Sequence, residues 1–124
     1  MELKLFKCSH CGNVVELIDD KGAVVSCCGE PMKELKAGVV DAAAEKHVPV
    51  YTVEDKLVHV VVGEVEHPML DKHYIEWIIV KTTQGVLRKN LTPDQKPSAD
   101  FKLCDGEEVL EVLAYCNLHG LWKS

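Results

Sequence analysis

Apolar residues along most of the chain recur with a period of two or in short unbroken runs, not at helical spacing. Val50–Val53, Leu57–Val62, Tyr74–Thr82, Val86–Leu91, Ala99–Leu103 and Val109–Cys116 are rich in valine, isoleucine and aromatics, and predict strands. Alternation places Ile75, Trp77 and Ile79 on one face of their strand. It places Leu110, Val112, Ala114 and Cys116 on one face of theirs. Gln84-Gly85, Thr92-Pro93-Asp94 and Asp105-Gly106 supply turns. Short strands punctuated in this way predict a β-sandwich of roughly ninety residues. Asp41–Lys46, with three alanines, has room for one helical turn.

The first 36 residues follow a different logic. Leu3–Phe6, Val14–Ile18 and Ala23–Ser26 read as short strands, with Asp20-Lys21-Gly22 as a turn. So few residues cannot bury a self-sufficient core, but they carry four of the six cysteines. The cysteine-dense region ends around Lys36-Ala37-Gly38. The expected organisation is all-β, with a metal-stapled module over residues 1–37 and a β-sandwich over residues 38–124.

Composition narrows the function classes. The 124 residues carry 14 Lys plus Arg against 20 Asp plus Glu, a formal charge of −6. This acidic balance lacks the basic footprint of a nucleic-acid binder. Hydrophobic content of 47% and a mean hydropathy of −0.02 describe a soluble globular chain. The longest apolar stretches, near Val60–Val62 and Ile78–Val80, are far short of a membrane span. Met1–Lys7 has no apolar signal core, so the expected location is the cytoplasm, with no membrane partner.

In a reducing cytoplasm, cysteine spacing points to metal before disulfides. Cys8-Ser-His-Cys11-Gly12 is a CxxCG knuckle, whose thiolates can share one metal while glycine supplies a positive-φ turn. Cys27-Cys28-Gly29 adds a second pair without a spacer. Adjacent side chains normally diverge, so both can reach one metal only with local backbone distortion. Four thiolates suit zinc or iron equally at this point.

A second set of candidate ligands comprises His47, His67, His73, Cys116 and His119, all near strand ends or turns. His67 and His73 bracket Pro68-Met69-Leu70-Asp71-Lys72, a segment able to fold back on itself. Cys116-Asn117-Leu118-His119-Gly120 is a CxxHG knuckle. Any one histidine is more often a packed or surface residue than a ligand. A sandwich gathers its loops at two ends, which would let these segments meet. Imidazole with thiolate suits iron, zinc or copper.

These motifs together resemble the desulfoferrodoxins, the two-iron class of superoxide reductases. The CxxC…CC pattern resembles their desulforedoxin-like module. Glu45-Lys46-His47-Val48-Pro49, His67-Pro68-Met69, Lys72-His73-Tyr74-Ile75-Glu76-Trp77 and Cys116–Trp122 resemble their catalytic domain in order and spacing. The resemblance implies an immunoglobulin-like sandwich and two iron ions per chain. Cys8, Cys11, Cys27 and Cys28 would hold one iron. His47, His67, His73 and His119 would surround the other in a plane, with Cys116 axial.

The implied reaction is superoxide plus one electron plus two protons giving hydrogen peroxide. Lys46 would steer the anion, and Glu45 would be a carboxylate able to take the sixth position in the oxidised state. A rubredoxin-like electron donor and a homodimer are the implied partners. An electron carrier using only the four-cysteine iron, and a zinc-ribbon interaction module, are the competing readings. His10, His59, Cys104, Trp77, Trp122 and Tyr115 are read as solvent-facing or packing residues without a role as ligands.

Overall fold

The computed structural model describes residues 2–124; Met1, where the N-terminal reading began, lies outside them. The chain divides into two compact units, one running to Lys36 and the other spanning Ala37–Ser124. No helix among the described residues is long and apolar enough to cross a membrane.

The first unit holds β1 (Leu5–Lys7), β2 (Val14–Glu16), β3 (Ser26–Cys27), β4 (Glu30–Pro31) and β5 (Lys33–Glu34). β1 is central in an antiparallel sheet ordered β2-β1-β5, while β3 and β4 form a separate hairpin. The expected strand Ala23–Ser26 is corrected: only Ser26 is in a strand, and the hairpin starts there. β4 and β5 escape a reading by periodicity, because two residues cannot display alternation.

The second unit is an immunoglobulin-like β-sandwich. It contains α1 (Ala44–His47), β6 (Pro49–Glu54), β7 (Leu57–Val62), β8 (Ile75–Thr82), β9 (Gly85–Asn90), β10 (Ser98–Lys102), β11 (Val109–Cys116) and β12 (Gly120–Lys123). One antiparallel sheet is ordered β10-β7-β6 and the other β12-β11-β8-β9. Val58, Val60 and Val62 of β7 pack with Ile78, Val80, Val112 and Ala114 in a common core. Each such valine or isoleucine contributes on the order of 1.5–3 kcal/mol by leaving water.

Two bulges correct the faces expected from simple alternation. Tyr115 pairs with Trp77 and Cys116 with Ile75, so Glu76 is the extra residue. Ile75 therefore joins Cys116 in the core, while Trp77 stacks on Tyr115 at 5.0 Å. Ile79 lies with Leu113 on the second face, not beside Ile75. At the other end Val109 pairs with Thr82 and Glu111 with Lys81, which ejects Leu110 to 57% exposure. Val109 packs against the core in its place.

Strand register gathers one set of loops. Pro49 at the start of β6 pairs with Val62 at the end of β7. Ile75 at the start of β8 pairs with Cys116 at the end of β11, which in turn pairs with Gly120 at the start of β12. The segments carrying His47, His67, His73, Cys116 and His119 thus all leave from these strand ends.

Candidate metal centres

The first cluster is built by two tight turns. Gly12 at φ +80° lets the chain fold back after β1, with Gly12 N–H on Cys8 O (3.0 Å) and Cys8 N–H on Asn13 O (2.9 Å). The N–H groups of Cys11 and Asn13 point at the sulfurs of Cys8 and Cys11, each at 3.5 Å. The adjacent pair solves its geometry with the expected distortion. Cys28 at φ +53° and Gly29 at φ +77° form a left-handed turn between β3 and β4. That turn brings the Cys28 sulfur to 3.9 Å from Cys27, whose sulfur lies 3.6 Å from Cys11.

A metal with sulfur ligands at about 2.3 Å sets tetrahedral edges of about 3.8 Å, which these spacings match. All four sulfurs lie within 4.8 Å of one another. The Cys11 and His10 backbone N–H groups lower the Cys8 thiol to about 6. Hydrogen bonding to Cys11, then to Cys8, pushes Cys28 up to about 12. Such a cluster cannot ionise fully without a cation at its centre.

At the second cluster the imidazoles are set by their backbones. His47 closes α1 and donates from Nδ1 to Ala43 O at 2.7 Å. His67 donates from Nδ1 to Pro68 O at 2.7 Å. A carbonyl only accepts, so each ring keeps its lone pair on Nε2. Those two Nε2 atoms face each other at 3.2 Å, and His119 Nδ1 lies 3.2 Å from His47 Nε2. His73 Nε2 is buried without a hydrogen-bond partner among the described residues. Lone pairs converging at that spacing repel unless a cation lies between them.

The rings mark a near-square. Neighbouring centroids lie 4.7 Å (His47–His67), 4.7 Å (His67–His73), 5.1 Å (His73–His119) and 4.9 Å (His119–His47) apart. The cross distance, His47–His73, is 6.5 Å, close to root two times the sides. With metal–nitrogen bonds of about 2.1 Å, adjacent nitrogens in a square plane lie about 3.0 Å apart, near the 3.2 Å seen. Cys116 is fully buried in the core, with its sulfur 3.8 Å from His119 Nδ1. The sulfur lies within 4.8 Å of the ligand atoms of His47, His67 and His73. Four nitrogens and one sulfur exceed the four ligands of the tetrahedron zinc prefers; they suit a redox metal of higher coordination number.

Electrostatics agree. Burial lowers His47, His67 and His73, with His67 near 4, so these rings are neutral and ready to ligate at neutral pH. Burial raises the Cys116 thiol, opposed by the N–H groups of His119 and Leu118. Trp122 stacks on His47 at 4.9 Å and donates from Nε1 to His119 O at 3.0 Å. Sequence reading treated Trp122 as flanking packing; its hold on two ligands at once has no signature in the pattern. The tethering carbonyls of Ala43 and Pro68 have none either, being backbone.

Glu45 and Lys46 are exposed on α1. Glu45 lines an open pocket with Ala44, Val48, Val50 and Glu64. The Lys46 charge bears on both His47 and His73. His10 pairs with Glu30 at 3.0 Å and His59 with Asp100 at 2.5 Å, both at the surface. Cys104 is an exposed free thiol.

A sandwich gathering four imidazoles and a thiolate at one end, in a chain that also carries a four-thiolate module, defines a non-haem metalloprotein with redox character. The chain belongs to the desulfoferrodoxin family. The sequence profile of desulfoferrodoxin matches residues 39–124, and that of the desulfoferrodoxin N-terminal domain matches residues 1–35. A desulfoferrodoxin from Syntrophotalea carbinolica is 46% identical over 99% of this chain and 96% of its own length. A superoxide reductase from Thermococcus kodakarensis is 33% identical, covering 73% of this chain and 91% of its own. The crystal structure of the superoxide reductase from Treponema pallidum superposes with a TM-score of 0.85 at 39% identity, covering 100% of this chain and 99% of that one. The two clusters are accordingly two iron sites, one of four cysteines and one of four histidines with a cysteine.

Proposed function

We propose that superoxide is reduced at the imidazole square, served from its rim by Lys46 and Glu45. The protein is a superoxide reductase: superoxide, one electron and two protons give hydrogen peroxide. The observation that carries the assignment of the site is the donor set, four imidazoles and one thiol gathered at one end of the sandwich; a six-coordinate iron held by these five would keep one position open for substrate. Iron bound there supplies the electron and the vacant position that takes an anion.

The chain's residues prepare that position. Neutral imidazoles add no charge, so with ferrous iron bound the Cys116 thiolate would leave the site one net positive charge to attract superoxide. The Cys116 sulfur sits in the apolar core, where burial pushes its thiol up against the opposing N–H groups of His119 and Leu118, so a bound cation would be what keeps it a thiolate. Lys46 adds a cation at the rim of a chain whose formal charge is −6, focusing the anion where the global field opposes it. Glu45, one residue away, would be the carboxylate able to compete for a position on the bound iron when no superoxide is present.

In this reading residues 1–37 form an iron module and residues 38–124 the catalytic domain. A small rubredoxin-like protein in the cytoplasm returns the electron. Two copies associate as a homodimer. The edge strand β6 supports this, because Val50, Tyr51 and Val53 are 46%, 37% and 50% exposed beside an unpaired backbone edge.

Product stoichiometry tests the activity. Superoxide supplied in known amount to reductant-coupled protein should yield one peroxide per superoxide and no dioxygen. Release of dioxygen with half as much peroxide would make the protein a dismutase, and no consumption would leave an electron carrier.

A further inference from the structure

The four imidazoles are not held alike. His47 and His67 are tethered through Nδ1 to backbone carbonyls. Among the described residues nothing plays that part for His73. Its backbone exchanges hydrogen bonds with Leu70, at 3.0 Å and 2.9 Å, and its inward Nε2 is unpartnered. The residues on either side of it, however, are bound by one side chain. Asn117 Oδ1 accepts the Tyr74 N–H at 3.0 Å, and Asn117 Nδ2 donates to Lys72 O at 3.0 Å. The Asn117 N–H also donates to Tyr74 O at 3.2 Å.

We infer that Asn117 is a positioning residue that locks His73 to the turn carrying Cys116 and His119, replacing the ring tether that the other two histidines have. The inference rests on iron ligation by His73. The chemistry explains the residue type. The clamp needs an acceptor for one backbone N–H and a donor for a carbonyl two residues earlier, on one short planar group; among side chains of this length only the amide of asparagine offers both. Because Asn117 follows Cys116 directly, the thiol ligand and the clamp share one strand end. The Cys116 sulfur and the His73 ring are thereby placed as one body, and His73 would not need to be ordered by the metal at an entropic cost.

The test is a double-mutant cycle read by iron retention. The iron-loaded protein is challenged with a ferrous chelator, and the sulfur-to-iron absorption band of the centre is recorded alongside. Asn117→Ala is expected to release iron about ten- to a hundred-fold faster and to shift the band in the direction that His73→Ala shifts it. Added to His73→Ala, the same change should alter release by no more than about two-fold, because nothing remains for the clamp to hold. Asn117→Asp keeps the shape and the acceptor for Tyr74 but loses the donor to Lys72. It should accelerate release in the wild-type background and be silent in the His73→Ala background, and it carries the cycle if the alanine variant does not fold. Iron retention like wild type in both Asn117 variants, or effects that multiply in the double variants, would overturn the inference. If His73→Ala itself released no iron faster, the ligand assignment would be the part that failed.

Discussion

Gly63 seats the helical turn that carries His47, and Gly63→Ala should dislodge it. A methyl group built on Gly63 would lie 2.8 Å from the carbonyl oxygens of Glu45 and Val48 and 3.1 Å from the carbonyl carbon of Lys46. Ordinary contact begins at 3.4 Å, so two carbonyls are each overlapped by about 0.6 Å. All three atoms are backbone, and none can rotate away. Glu45 O is further pinned by the Val65 N–H at 2.8 Å.

Relief therefore requires α1 to move as a unit, at a cost of about 1–3 kcal/mol. For a unit of this size that lowers the melting temperature by at least about 4 °C. The same movement carries His47, whose Nε2 lies 3.2 Å from two other ligand nitrogens. A shift of about 0.5 Å is the margin within which a ligand set keeps its geometry. Differential scanning calorimetry and chelator-driven iron loss should both respond, while the absorption of the four-cysteine centre stays unchanged. A Gly63→Ala protein that melts and retains iron like wild type would refute the argument.

Three further outcomes follow from the two centres. Cys28→Ser should abolish or alter the four-cysteine centre, seen as loss of its absorption, while superoxide reduction at the second iron persists; loss of both irons would contradict the separation of the sites. Cys116→Ser exchanges a soft thiolate for a hydroxyl that ligates poorly at neutral pH, so the sulfur-to-iron band and turnover should both vanish, with full turnover removing Cys116 from the chemistry. Lys46→Ala should slow the second-order reaction with superoxide by about ten-fold and flatten its salt dependence without changing either spectrum, whereas Lys46→Arg keeps most of the rate. Pulse radiolysis at several ionic strengths measures both.

Much of the site was legible because thiolate and imidazole ligands are rare and their spacing is conspicuous. The two knuckles, Cys8–Gly12 and Cys116–Gly120, are both turns in the structure, and the spacerless Cys27-Cys28 pair shows the left-handed backbone its crowding demands. Strands β7 and β11 coincide with the alternating runs that announced them. What escaped reading depends on distant partners. The bulges at Glu76 and Leu110 invert the face of neighbouring residues, and a period-two reading of one strand cannot see the strand opposite. β12 is a four-residue strand just after the knuckle, too short to announce itself. Gly63 and Asn117 are ordinary residues in sequence. Their importance comes from backbone atoms of α1 and of the segment from Lys72 to Tyr74, which only the fold brings near.

The central claim is that electrons reach superoxide at the four-histidine, one-cysteine iron. The direct measurement is metal analysis of the purified protein combined with stopped-flow spectroscopy of the fully reduced form mixed with superoxide. Two irons per chain are expected, with oxidation of the histidine-ligated centre first, at a second-order rate that is unchanged in Cys28→Ser. Zinc in place of iron at that centre, or superoxide oxidising the four-cysteine centre alone, would contradict it.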